Sequence, residues 1–445
     1  MLNESVMPGI STPSKTCWRV LYLLTFAMGI SFVDRGTLSI ALVSIKRELH
    51  LDESQLGVLA SAFFMTYTVM QLVAGKLLAR MNAITLYAGA FLVWSCATAF
   101  TGFTHDIHIF GVSISSFYVL FGLRLLLGCG ESISYPATAV LITGLFPEGL
   151  RGTANSLIDA GSKIGPALGI MLGTTVLLAV GWRGMFLWLG ALSLVWLPIW
   201  LMSTRSLDVV AAPSAFSRSL AYRQIASKGS FWGATVGHIG GNYAWSLFVV
   251  WLPYFVEHSG FSGKQLVWMS SMPFWLLTVA SVGSGYVSDR LIRSGSLPIR
   301  VRKATVCIGS IGCAACLLSA ALMHSVVPKL LLVLGASLCL GLFSSNNWAL
   351  AQTLSGEDAA AKWTSLQNLF ANASATLAAW ITGVVLSRTA SFSAAFFIAS
   401  TVLLIGAAAY WFGIDDRGPV IWERESEGKV SNACLRDTRP ARLES

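Results

Sequence analysis

Two pairs of opposite charges interrupt stretches of chain that are otherwise apolar. Asp34 and Arg35 stand inside the run from Trp18 to Ile45, and Arg124 and Glu131 stand in LRLLLGCGESISYPA. An ionised side chain at mid-bilayer costs at least ~2.5–3.5 kcal/mol on insertion scales, so such groups are functional candidates by default. Arg124 and Glu131 lie two turns apart, share a helix face and are offset by ~10 Å along its axis. Asp34 and Arg35 are adjacent and point roughly 100° apart, so one can face the Arg124 helix while the other faces a central cavity. A carboxylate in a cavity of low dielectric, near an Arg it can gain or lose, is able to take up and release a proton. Asp34 and Glu131 are therefore candidate proton carriers. Arg35 offers a planar fork of donors suited to a carboxylate, and Arg124 is able to alternate between partners. The four charges cancel, so the competing reading is a neutralised packing network. Apolar residues would hold the same helices together at lower cost.

Asp159 and Lys163 form a third pair, at i and i+4 on one helix face. Two readings stay open: a self-satisfied pair, or a Lys163 free to hold a second anionic group of a substrate. Polar groups expected to line a cavity include Tyr67, Ser162, Asn242, Tyr243 and Asn368, with Asn346, Asn347, Gln352, Gln367 and Asn372 nearby. Each amide taken singly is more often a tie between helices than a ligand contact. His238 is expected to be a satisfied polar contact rather than a proton relay.

These residues need long apolar helices to position them. Of the 445 residues, 55% are hydrophobic and 11% charged, and the mean hydropathy is +0.67. That is too little charge to cover a soluble protein of this size. Apolar stretches long enough to cross a ~30 Å hydrocarbon core recur along the chain, too long for tilted barrel strands. The spacing predicts an all-α membrane protein with spans at 18–43, 55–79, 84–103, 113–138, 152–178, 183–202, 231–254, 266–287, 304–323, 330–350, 363–387 and 391–412. The expected organisation is an N-terminal segment 1–17, a six-helix bundle 18–202, a polar basic linker 203–230, a second six-helix bundle 231–412 and a charged tail 413–445 that is expected to be disordered. The N-terminus has no cleavable signal pattern.

The net charge of +9 is a topology signal. With the N-terminus placed in the cytoplasm, 21 Lys and Arg fall on the cytoplasmic side and 6 outside. This positive-inside bias puts both termini in the cytoplasm, points to anionic lipid headgroups and argues against nucleic acid. The eight Cys form no disulfide framework; Cys313 and Cys316 have redox-motif spacing but sit on an apolar helix, where small-residue packing explains them. No His, Cys and carboxylate set has metal-ligand spacing, and no cofactor is expected.

The chain also repeats itself. GKLLAR from Gly75 closes the second span as GYVSDR from Gly285 closes the eighth, and the start of span five at Gly152 stands at the same offset from the start of span eleven at Lys362. Duplicated six-helix halves with a site between them suit a carrier that alternates access.

Along all twelve spans the chain resembles the major facilitator superfamily, and within it the anion:cation symporter family, which includes bacterial sugar-acid and aromatic-acid permeases, sialin and the vesicular glutamate transporters. The resemblance rests on Asp34-Arg35, on Arg124-x₆-Glu131, on Arg151-Gly152 opening span five, on NYAWSLFVVWLPYF from Asn242, and on the loop motif Gly285-x₃-Asp289-Arg290. It implies two pseudo-symmetric bundles, proton uptake at Asp34 and Glu131, pairing of Arg124 with those acids, a substrate carboxylate on Arg35, a site lined by Tyr67, and gating by Arg80, Asp289 and Arg290. Three departures stand out: Ala79 replaces the Asp of the first loop motif, Ser162 stands where sugar-acid permeases can carry Gln, and Asp159 and Lys163 occupy usually neutral positions. The expectation is a carrier rather than an enzyme: a monomeric proton symporter of a small organic anion in the inner (plasma) membrane. A proton-antiport exporter of hydrophobic compounds would favour an apolar cavity, and a transport-dead sensor would need a larger signalling segment than the tail.

Overall fold

The computed structural model describes residues 13–51, 53–109, 112–205, 207, 215–389 and 391–422. The expected N-terminal segment, linker and tail fall partly outside the described residues. In chain order the helices are α1 Lys15–Leu49, α2 Glu53–Leu78, α3 Ala83–Thr101, α4 Ser116–Glu131, α5 Ser134–Leu145, α6 Arg151–Leu194, α7 Trp196–Thr204, α8 Ala215–Ser219, α9 Tyr222–Ala226, α10 Gly229–His258, α11 Gly263–Arg293, α12 Pro298–Leu322, α13 Val326–Thr389 and α14 Phe392–Gly413. A two-stranded antiparallel hairpin, β1 Ile107–Ile109 and β2 Val112–Ile114, precedes α4.

Local chemistry sets several of these boundaries. Ser14 caps α1 by accepting from the Cys17 N–H, and Lys46 and Arg47 in its last turn complement the helix dipole before His50 turns left-handed at φ 53°. The Asn82 side chain accepts from Ile84 and Thr85 N–H at the head of α3. Gly181 breaks α6 at φ 71°, ψ 173°, and Gly356 breaks α13 at φ 67°, ψ 178°, backbone that a side-chain-bearing residue enters only under strain.

By length and hydropathy alone, eight helical stretches of the described residues qualify as membrane spans. Dividing α13 at Gly356 and adding α2, the 151–180 arm of α6 and α10 brings the count to twelve, in two six-helix bundles. Among the described residues, buried apolar side chains form one core within residues 17–207, joined by Ala361 with Trp245 packed against it, and a second within 220–414. A smaller cluster around Leu38, Leu120 and Trp182 closes the first bundle at the end remote from the linker.

The bundles meet where α11 packs on α6 and α13 packs on α2 and α5. Gly152 and Gly285 lie against one another's backbone, and Gly75 lies against Ser365 and the Tyr222 hydroxyl. Small residues permit this close approach. The linker helices dock over the same joint. Lys362 Nζ donates to the Ser217 and Leu220 carbonyls at 2.9 and 2.6 Å, and the Tyr222 hydroxyl donates to the Leu72 carbonyl at 2.6 Å. Ala79, where the first loop motif lacks its acid, is buried beneath.

Candidate functional site

The quartet assembles on α1 and α4, with pairings that adjacency and helix geometry did not foretell. Arg35, not Asp34, turns to α4: its Nε donates to Glu131 Oε2 at 2.7 Å. The Ser31 hydroxyl, one turn earlier, donates to the same oxygen at 2.6 Å. The Arg35 guanidinium is ringed by Phe32, Phe63 and Tyr67, with centroids at 4.4, 4.9 and 4.8 Å. Three faces of negative quadrupole hold the cation in place, while 18% of its side chain stays exposed.

Asp34 turns the other way, toward α3, where Thr98 Oγ1 donates to its Oδ2 at 3.2 Å. Arg124 is buried over the ring of Phe186 in α6, 5.2 Å from the centroid. The pairing of Arg124 with the acids is not present in this conformation: among the described residues no carboxylate lies within ion-pair distance of it. Asp34 Oδ1, Glu131 Oε1 and Arg124 Nε are buried without hydrogen-bond partners. Three unpartnered polar atoms of charged groups in one bundle core are costly.

The third pair does close on itself. Lys163 Nζ lies 3.0 Å from Asp159 Oδ1, and both side chains are buried. Asp159 also reaches the other bundle, accepting from Ser344 Oγ on Oδ1 and from Ser281 Oγ on Oδ2, each at 2.8 Å. Lys163 crosses the joint too, 3.7 Å from the ring centroid of Trp245. Tyr135 stacks on Trp348 of the second bundle at 4.8 Å. Beneath this level a pocket of ≈10 Å³, with room for about one water, is bounded by Asn155, Asp159, Trp348 and Gln352.

From there to the linker end the bundles are zipped shut. Asn155 and Gln352 exchange amide hydrogen bonds at 2.8 and 3.0 Å. Asp289 accepts from the Gly152 and Thr153 N–H at 3.0 and 2.6 Å, capping the start of α6. Arg302 lies within 3.6 Å of Asp289 and also binds Glu148 and Thr353. Arg80 and Arg290, expected beside Asp289 in gating, are exposed and take no part in these contacts. Both lie on the surface, while the short Asp289 side chain fits the helix terminus.

Other candidates are placed in packing roles. Ser162 Oγ donates back to the Asp159 carbonyl at 2.7 Å. Asn242 Nδ2 donates to the Ala371 carbonyl at 2.6 Å, tying α10 to α13. Tyr243 is buried in the second core. His238 meets Gln367 at 3.2 Å and stands edge-on to Trp348. Asn368 accepts from Asn372 at 2.9 Å, but its own Nδ2 is buried and unpartnered. Sequence reasoning missed Ser31, Thr98, Tyr135, Trp245, Ser281 and Ser344. Ser31 alone carried a signal, one helical turn before Arg35. The rest are common residues made important by what packs against them.

The family model described as Major Facilitator Superfamily matches residues 24–379. The chain is 28% identical over 408 residues to the probable L-galactonate transporter of Escherichia coli (strain K12), covering 88% of each chain. It is 27% identical over 420 residues to the probable sulfoacetate transporter SauU of Cupriavidus necator, covering 89% of this chain and 94% of the relative. It is 24% identical over 428 residues to the probable galactarate/D-glucarate transporter GarP of Escherichia coli (strain K12), covering 90% and 95%. Among solved structures, FucP in the outward conformation matches with a TM-score of 0.66 at 12% identity, over 90% of this chain and 100% of that one.

Proposed function

The chain belongs to the Major Facilitator Superfamily, and from that premise we propose that it takes up a small organic anion together with protons. The carrying observation is the Arg35–Glu131 pair, partly exposed at Arg35, with an orphaned oxygen on Glu131 and another on Asp34. A proton on Glu131 removes the charge that holds Arg35, and the guanidinium becomes free for a substrate carboxylate. Anion and proton then favour the same state, and each raises the affinity for the other by an equal factor. The released partner is Arg35 rather than Arg124, because the structure pairs Glu131 with Arg35. Tyr67 and the two Phe rings keep Arg35 in place through the exchange. Asn368 offers an unpartnered donor for the rest of the cargo. Relatives named as transporters of L-galactonate, galactarate or D-glucarate, and sulfoacetate support an acid cargo.

The zipped end carries the linker and most of the basic residues, so in this reading it faces the cytoplasm, and the conformation is closed on that side. The protein works as a monomer in the inner membrane, its two bundles rocking about the site. The test is uptake of D-glucarate into cells under an imposed pH gradient. Glu131→Gln is expected to lower accumulation by about 10-fold or more while counterflow persists. Undiminished accumulation in that variant removes Glu131 as the coupling site.

A further inference from the structure

The inter-bundle contacts of α6 form one stripe. Gly152, Asn155, Asp159 and Lys163 recur every three to four residues, so they lie on a single helix face. The stripe climbs from the linker end toward the quartet, and Asp159–Lys163 is its innermost rung. The lower rungs are hydrogen bonds to a backbone terminus and between amides. The top rung is an ion pair buried between the bundles, with each partner touching the opposite one: Asp159 through Ser281 and Ser344, Lys163 through Trp245.

We propose that Asp159 is a built-in stand-in for a second acid group of the cargo. A two-acid substrate, held at Arg35 by one group, takes Lys163 with the other and displaces Asp159. The displaced carboxylate keeps two hydroxyl donors but loses its counter-charge. A buried charge without its partner is far more costly than an exposed one, so the state in which Asp159 reaches water is favoured, and that state requires the bundles to part. Binding at Lys163 thereby unzips the linker end. A one-acid cargo fills Arg35 and leaves the rung closed. Lys163 and Asp159 are positioning and specificity residues in this scheme. The inference rests on the anionic cargo proposed above and adds which anions release the gate.

The experiment uses the full chain in detergent, with D-glucarate as the two-acid probe and L-galactonate as the one-acid probe. Thermal stabilisation reports binding, and hydrogen exchange in peptides covering 152–163 and 344–353 reports the zip. In the wild type D-glucarate raises exchange there several-fold and L-galactonate does not. Lys163→Gln weakens D-glucarate about 10-fold, leaves L-galactonate unchanged and, with Asp159 already lacking its counter-charge, shows raised exchange without ligand to which D-glucarate adds nothing. Asp159→Asn tightens D-glucarate and shows raised exchange with no ligand. Ser344→Ala, a milder change that keeps the ion pair, shows the raised exchange alone. Equal losses for both acids in Lys163→Gln, or wild-type exchange in Asp159→Asn and Ser344→Ala, overturn the inference while the anion reading stands. Stabilisation of the wild type by neither acid removes the anion reading and the displacement with it.

Discussion

Glu131 divides its two oxygens unequally: Oε2 takes Ser31 and Arg35, and Oε1 takes nothing. In the coupling proposed above the proton adds at this bare oxygen, and the loss of negative charge weakens the hold on Arg35. At the far end of α1, Glu48 shows the opposite condition. It accepts from Arg183 Nε at 2.8 Å and from Trp182 Nε1 at 2.5 Å. Slight burial pushes its proton affinity up, but these hydrogen bonds outweigh it and hold the carboxyl below the usual Glu range. A depressed folded value means that the contribution to stability is complete above the unfolded value of about 4.3 and disappears as pH falls through the folded one. Glu48→Gln is expected to lower Tm at pH 7 by about 1–2 °C, because an exposed pair is screened by solvent. The variant also loses less stability than the wild type on acidification. Thermal unfolding across pH 3–7 (about the range in which Glu titrates) checks both, and parallel acid profiles sink the claim.

Helix ends follow composition closely where caps are present and poorly where one glycine does the work. Nothing in residues 351–362 signals how short the link is between the tenth and eleventh spans. The structure turns the chain at Gly356, with helix on both sides of it. Likewise α1 runs on to Leu49, beyond the apolar stretch, because Lys46 and Arg47 suit a helix C-terminus. The paired strands β1 and β2 displace the start of α4 to Ser116, a few residues later than apolarity suggests; their Ile and Val favour strands. Gly356→Ala is expected to cost about 1–3 kcal/mol, since φ 67° with ψ 178° is almost closed to Ala. Gly283→Ala, with open space at its Cβ, serves as the control and holds its Tm. Equal melting of the two variants refutes the strain argument.

On the scale of the whole molecule, the two joints between bundles are closed by different devices. One is the Asp289 carboxylate on the α6 terminus, with Arg302 and Glu148 around it. At the other, Ala79 offers no carboxylate, and the linker docks through Tyr222 and Lys362. Removing the acid at the first joint leaves two N–H groups unpaired and Arg302 short of a counter-charge. Asp289→Ala is expected to raise exchange at the 147–156 amides and to reduce uptake about 10-fold, the size of a lost charged hydrogen bond. Arg80→Ala and Arg290→Ala, both exposed, remain within about two-fold of wild type, as surface charges away from special features do. A stronger loss in either Arg variant than in Asp289→Ala contradicts this assignment of the gate.

The amino-acid sequence by itself determined the helical membrane architecture, the two matching halves and the identity of the charged groups. Hydrocarbon thickness, the cost of burying charge and the repeat of spacing all act locally along the chain. Which charge meets which was decided only in three dimensions. Helix periodicity sets the direction of Arg35 relative to Asp34, but the choice of Glu131 for one and Thr98 for the other depends on how α1 sits against α3 and α4. The same holds for Asp159 and Lys163. Their i, i+4 spacing allowed the ion pair without choosing it over a free Lys163, whereas Ser281, Ser344 and Trp245 come from the other bundle, and only packing brings them within reach.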